Sequence, residues 1–239
     1  MLSKLNIQNV LFLDIETVPQ HPVYNDLDET SRKLWEHKAK ILTKGEQTGD
    51  EIYQRAGIYA EFGKIVCISV GFINMDGTER EFRSRSFFGD DEKKLLTDLA
   101  DMLNNHFNKP QHLLCGHNGK EFDFPYIARR MIINSVKIPR ILQISGLKPW
   151  EVQHLDTMEL WKFGDWKSYT SISLLAHVLG IPTPKDDING SDVARVYYEE
   201  KDLDRIEKYC RKDTLTVAQV LLRMKGEPIL SENEIIDIS

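Results

Sequence analysis

Asp14 and Glu16 stand two apart at the end of residues 9 to 16, Asn-Val-Leu-Phe-Leu-Asp-Ile-Glu. The run is rich in strand formers. In a strand, alternate residues share a face, so both carboxylates project the same way, about 6.6 to 6.8 Å apart along the chain. Leu11, Leu13 and Ile15 take the other face. Two acids after so apolar a stretch sit near the edge of a core. Like charges about 4 Å apart repel by roughly 4 kcal/mol at an effective dielectric near 20. A shared proton would offset that, and so would a divalent cation. Taken alone, the pair also fits a helix cap or a solvated strand end.

A third acid changes the balance. On a helix over 202 to 224, Ile206, Asp213, Val217 and Val220 fall within about 40° of one line. Asp213 thus lies inside an apolar stripe, and buried charges are paired or coordinate metals. Tyr209 lies one turn earlier and projects to the same neighbourhood, although on spacing alone it is an ordinary amphipathic core tyrosine. The segment from His117 to Pro125 adds Asn118 and Asp123. In isolation Asp123 reads as a helix N-cap and Asn118 as a turn residue.

These groups need elements to hold them. Residues 65 to 73 and 79 to 88 form a hairpin pair around Asp76-Gly77, and residues 112 to 117 a further strand. Helices are expected over 28 to 43, over 91 to 107 with Asp90 or Asp91 as cap, from Pro125 to about 133, over 171 to 179, and over 202 to 224. The first would belong to a helical insertion at about 26 to 60 within a single domain spanning 1 to 239. Strands followed by helices imply a mixed sheet with helices packed on it.

The 239 residues are 41% hydrophobic and 28% charged, which excludes disordered and fibrous classes. Thirty-seven acidic against 31 basic residues argue against nucleic-acid binding through bulk charge. They leave room for a local basic cleft or an acidic site neutralised by metal. Cys67, Cys115 and Cys210 sit far apart in apolar stretches and read as small buried hydrophobes, neither a disulfide framework nor a zinc site. No apolar run reaches the roughly 18 residues a membrane span needs, and residues 1 to 8 lack a signal-peptide pattern. A cytoplasmic location is expected, with no membrane partner. Lys162 and Lys167, interleaved with Trp161, Phe163, Trp166 and Tyr169, could contact phosphates and stack on unpaired bases. The same aromatics could equally cap the core.

Taken together the segments resemble a known family. Phe-Leu-Asp14-Ile-Glu16-Thr is similar to the first motif of the DEDD superfamily of 3′–5′ exonucleases. His117-Asn118 through Phe122-Asp123-Phe124-Pro125 is similar to the second, and Tyr209-Cys-Arg-Lys-Asp213 to the third. The stretch Glu61 to Ser69, and Ser191 leading into Tyr209, look like the predicted exonucleases related to the proofreading domain of family B DNA polymerases. The histidine subtype would place its base where Lys208 stands, so Tyr209 points to the tyrosine subtype.

The resemblance implies an α/β, ribonuclease H-like mixed sheet of about five strands, one of them antiparallel, flanked by helices. It implies hydrolysis of phosphodiester bonds with two divalent cations, Mg²⁺ or Mn²⁺, at Asp14, Glu16, Asp123 and Asp213. Asp123 would act through a bound water, and Tyr209 would orient the attacking water. Asn118, with Thr17 and Phe122 inside the same motifs, would contact substrate beside Lys162 and Lys167. Single-stranded or frayed 3′ ends of DNA are the expected substrate. The alternatives are an exoribonuclease or oligoribonuclease with the same site, or a non-catalytic nucleic-acid binding module. Any polymerase or DNA-repair partner would be a separate chain.

Overall fold

The computed structural model describes residues 2–77, 79–148, 150–165, 169–182 and 188–238. Its elements in chain order are β1 (Val10–Pro19), α1 (Glu29–Thr43), β2 (Gly63–Asp76), β3 (Glu79–Phe88), α2 (Glu92–His106), β4 (Leu113–Gly116), α3 (Asp123–Ile133), β5 (Leu155–Asp156), α4 (Thr157–Lys162), α5 (Ile172–Val178), α6 (Val193–Arg195) running into a π-helical turn (Val196–Glu200), α7 (Leu203–Lys225) and β6 (Ile235–Asp237). The strands form one six-stranded sheet in the order β5-β4-β1-β2-β3-β6. β2 pairs antiparallel with both β1 and β3, while the other pairings are parallel. The architecture is therefore an α/β mixed sheet with one reversed strand, flanked by helices.

β1 lies inside the sheet, so both its faces are covered. Leu11, Leu13 and Ile15 pack with α2 and α3 through Leu96, Leu99, Phe124 and Ile127. Val10 and Phe12 pack on the opposite side with Val217, Ala218 and Leu221 of α7. Strand parity thus sends Asp14 and Glu16 to the α7 side, as the alternating pattern requires. A register shift between Glu16 and Thr17 in the β1–β2 ladder breaks the parity there, a device that re-aims side chains at strand ends.

Two elements are shorter than sequence periodicity can reveal. β5 has two residues and β6 three, each held by parallel pairing to a distant strand. The helix expected from Pro125 begins earlier, at Asp123, so Asp123 occupies its first turn and not the N-cap position. α1, capped by the Asp28 carboxylate, lies between β1 and β2 with its own small core around Trp35, Tyr53 and Ala56. That core is tied to the sheet where the Tyr126 hydroxyl donates to the Gly57 carbonyl at 2.8 Å. A side chain at Gly63 would put its Cβ 2.3 Å from the same hydroxyl, so the close approach requires glycine. A buried pair, Arg130 of α3 with Glu92 of α2, joins the two helices at 2.8 Å, and Glu92 also accepts from the Ile65 amide at the start of β2. Among the described residues no helix is long and apolar enough to cross a membrane.

Candidate active site

Four acids from three elements come within electrostatic reach of one another at the end of β1. Asp14 and Glu16 come from β1, Asp123 from the start of α3, and Asp213 from the middle of α7. Asp123 reaches back to β1: its Oδ1 accepts the Ile15 amide at 3.2 Å, between the two β1 acids. It thereby does something other than cap a helix. One oxygen each of Asp14 and Glu16 and the Cys210 sulfur all lie within 4.8 Å of one another. Glu16 is only 7% exposed, so its carboxylate meets the charges of Asp213 and Asp123 with little water to screen them. Glu16 stands opposite Cys67 in the ladder, so that sulfur borders the cluster as well.

The charges act on one another. Burial, followed by the charges of Asp123, Glu16 and Asp213, raises the Asp14 carboxyl well above the ordinary range. Burial does the same to Glu16, with Cys67, Asp213 and Asp123 adding to it. Asp123 is pushed up to about 7, chiefly by burial. The metal-free fold therefore holds protons that an unfolded chain would release. Protons held in the native state above their usual pKa stabilise it at low pH and stop doing so as the pH rises through the folded value. Half-buried histidines such as His117 and His154, lowered by desolvation, pull the other way below about pH 6.5, so the informative comparison is with a variant that keeps them. In chelator the melting temperature of the wild type relative to Asp123→Asn is expected to fall as the pH rises from about 4 to about 7, between the ordinary carboxylate value and the raised one, and to level off above it. Millimolar Mn²⁺ should restore wild-type stability at the upper end, since a ligand at one hundred times its Kd adds about 2.7 kcal/mol. A relative melting temperature that does not fall across this window, with no response to Mn²⁺, would contradict the coupling.

Tyr209 sits one turn before Asp213, half-buried against the cluster that holds Val18, Ile206 and Cys210. Its hydroxyl bonds to Asp213, and burial together with the neighbouring acids raises its pKa. The phenol is therefore a protonated donor at neutral pH.

The expected substrate contacts divide. Asn118 has a left-handed backbone, φ 64°, and its amide donates to Asp156 at 2.9 Å. Its buried Oδ1 has no hydrogen-bond partner among the described residues. Strained backbone and orphaned polar atoms are both uncommon away from functional sites. Asn118 opens onto a cleft of about 1380 Å³ that Lys120, Arg129, Lys162 and Tyr169 also line. Lys162 lies 4.9 Å from the centre of the Tyr169 ring. Phe163 is 91% exposed, whereas Trp161 packs into the core beside Leu175 and Val220, so only part of the aromatic cluster faces solvent. Trp166 and Lys167 lie outside the described residues. Thr17 and Phe122 meet at Tyr126, the first through a side-chain hydrogen bond and the second by ring contact at 5.3 Å.

Asp156 is the residue that sequence reasoning missed. It is buried and gathers the amides of Asn118, Lys120, Met158 and Glu159. It both caps α4 and fixes the turn that presents Asn118. The Asp-x-x-Glu spacing at 156 to 159 hints at the cap, but nothing local reveals the link to Asn118. His117 supports the same turn, its Nε2 donating to the Thr170 carbonyl and its Nδ1 meeting the Thr157 hydroxyl, both at 2.9 Å.

The model of a family of predicted 3′–5′ exonucleases related to the exonuclease domain of PolB matches residues 58–231. The matched span contains Asn118, Asp123, Tyr209 and Asp213, while Asp14 and Glu16 precede it. No curated protein matches the chain.

Proposed function

The chain belongs to this family of predicted 3′–5′ exonucleases, and on that premise we propose that it removes nucleotides from single-stranded or frayed 3′ ends of DNA with divalent cations. The observation that carries the reading is the crowding of buried acids: the Asp14 and Glu16 carboxylates lie together, Glu16 only 7% exposed, and the charges of Asp123 and Asp213 press on both. Such a cluster is tolerable when protonated or when a cation neutralises it. The donor set fits hard, oxygen-seeking ions such as Mg²⁺ or Mn²⁺.

Asp14, Glu16 and Asp213 would hold the metal, with Asp123 assisting through water. Two such ions, when bound, supply an activated water and relieve charge on the scissile phosphate. The protein residues do the positioning. Tyr209, protonated and bonded to Asp213, orients the attacking water and does not serve as its base. Asp156 and His117 hold the Asn118 turn, and the free Asn118 Oδ1 can accept a hydrogen bond from the terminal nucleotide. The cleft beyond it takes the upstream strand: Lys162 and Arg129 serve the phosphates, and the exposed faces of Tyr169 and Phe163 serve unpaired bases at about 1 to 3 kcal/mol each. We read the whole chain as one exonuclease domain, with α1 and its neighbours inserted between β1 and β2.

The substrate is tested by comparing initial rates on single-stranded DNA, single-stranded RNA of the same sequence, and blunt duplex DNA. Single-stranded DNA is expected to be cut at least about tenfold faster than either, since stacking on exposed rings needs unpaired bases. Preference for RNA would replace the DNA reading with an exoribonuclease, and binding without cleavage would favour a non-catalytic module.

A further inference from the structure

Resting on the reading of the chain as a nuclease, we propose that the outward face of α1 is a second nucleic-acid contact, one that holds the phosphate backbone of the substrate strand at a distance from the acid cluster. α1 turns Trp35 and Ala39 into the core of the insertion, with Leu42 packed against them. The opposite arc, about 120° wide at 100° per residue, carries Lys33, Leu34, His37, Lys40 and Ile41, with Lys44 just beyond at the C-cap, and all six are exposed. The acids of this helix are engaged locally. Asp28 caps the N-terminus, Glu36 accepts from the Tyr24 hydroxyl and the Gly49 amide, and Glu29 pairs with Lys33. That last pair is 75% and 82% exposed, so it is weak and a phosphate can replace its carboxylate. A chain of net charge −6 thus turns a row of cations to solvent on one inserted helix.

Two features select nucleic acid as the occupant. Leu34 and Ile41, 58% and 63% exposed, stand among the lysines. At about 1.5 Å per residue, Lys33 to Lys44 spans roughly 16 Å, and this mixture matches a polymer that alternates phosphates with apolar sugar and base faces. The second feature is position. The chain leaves β1 at Pro19, three residues past Glu16, and returns at Gly63, the ladder partner of Pro19. Tyr126 of α3, the helix that begins at Asp123, holds the insertion through the Gly57 carbonyl. α1 is therefore tethered beside the end of β1 that carries the acids. A strand engaged at the acids meets α1 at high effective concentration, an advantage that an acidic protein partner lacks. None of the residues lining the Asn118 cleft belongs to α1, so this contact is separate from the one already described.

The test is fluorescence anisotropy of a labelled single-stranded DNA of about 30 nucleotides, long enough to pass beyond one binding cleft, titrated with the full-length chain in chelator over a range of salt. The variant combining Lys33→Gln, Lys40→Gln and Lys44→Gln is expected to bind at least about tenfold more weakly than wild type at low salt. Its slope of log affinity against log salt should be smaller by about 2, the value for three lost phosphate contacts on a single strand. An unchanged melting temperature shows that the variant is folded, and the corresponding Lys→Arg triple should restore both affinity and slope. Lys4→Gln, Lys93→Gln and Lys109→Gln together remove the same charge from exposed positions elsewhere and should bind as wild type does. An equal loss in that control, wild-type affinity in the α1 variant, or no recovery with arginine would each overturn the proposal. No binding by the wild type would overturn it as well and leave the face to an acidic protein partner. Binding in chelator is independent of turnover. A chain that cleaves DNA without help from α1 loses only this inference, and one that binds through α1 but cleaves nothing loses only the exonuclease reading.

Discussion

Asp213→Asn and Asp14→Asn are each expected to lower turnover by at least about a thousandfold, roughly 4 kcal/mol of barrier, without lowering the melting temperature in chelator. The two halves of the expectation have one cause. Burial, followed by the charges of Asp123, Glu16 and Asp213, raises the Asp14 carboxyl, so Asp14 and Asp213 repel in the metal-free fold. Asparagine keeps the shape and removes a charge or a forced proton, so the metal-free fold loses repulsion and keeps its packing. With metal the consequence reverses, because a neutral amide is a poorer ligand for a hard cation than a carboxylate. Thermal melts in chelator and in Mn²⁺, alongside single-nucleotide release rates, separate the effects. A metal-free destabilisation beyond about 2 kcal/mol would assign these acids to the ordinary structural class, in which loss of a buried partner costs about 1 to 3 kcal/mol.

Tyr209→Phe is expected to cost about ten- to a thousandfold in rate, or roughly 1.4 to 4 kcal/mol, with fold and metal binding kept. The substitution removes one hydroxyl and leaves the ring in its contact with Ile206, Cys210 and Val18. The hydroxyl's partner is Asp213, and its elevated pKa keeps it a donor at neutral pH. Two readouts distinguish this role from a structural one. The Mn²⁺-induced shift in melting temperature should match wild type, and the rate should fall with little change in KM. Unchanged turnover in the Phe variant would return Tyr209 to the core and remove the tyrosine-subtype reading.

The acid pair on β1 is legible in sequence because strand parity is local. Alternation alone places Leu11, Leu13 and Ile15 opposite Asp14 and Glu16, and the packing follows that division. Asp213 is legible for the same reason on a helix: it interrupts a stripe whose other members, Ile206, Val217 and Val220, are almost fully buried. Asp123 was half-legible. Its residue type and place before Pro125 suggest a cap, but its partner is the Ile15 amide, 108 residues away. Asp156 lies beyond local reasoning, since its link to Asn118 crosses 38 residues. The same holds for β5 and β6, whose few residues are strands only through distant partners. Cys67 and Cys210 are buried, as small apolar-type residues should be, but sequence cannot tell which buried surface they face. The β1–β2 register and the seating of α7 decide that they border carboxylates. The aromatic cluster between 161 and 169 mixes a core residue, Trp161, with the exposed Phe163 and Tyr169, because no helical or strand period governs so irregular a segment.

The most direct test of metal-dependent 3′–5′ exonuclease activity is a time course on a 5′-labelled single-stranded DNA oligonucleotide, run with Mn²⁺ and with chelator in parallel. The expected result is a ladder that shortens one nucleotide at a time from the 3′ end, present with Mn²⁺, absent with chelator and absent in Asp14→Asn. A single internal cut, release of the labelled 5′ nucleotide first, or equal cleavage in chelator would contradict it.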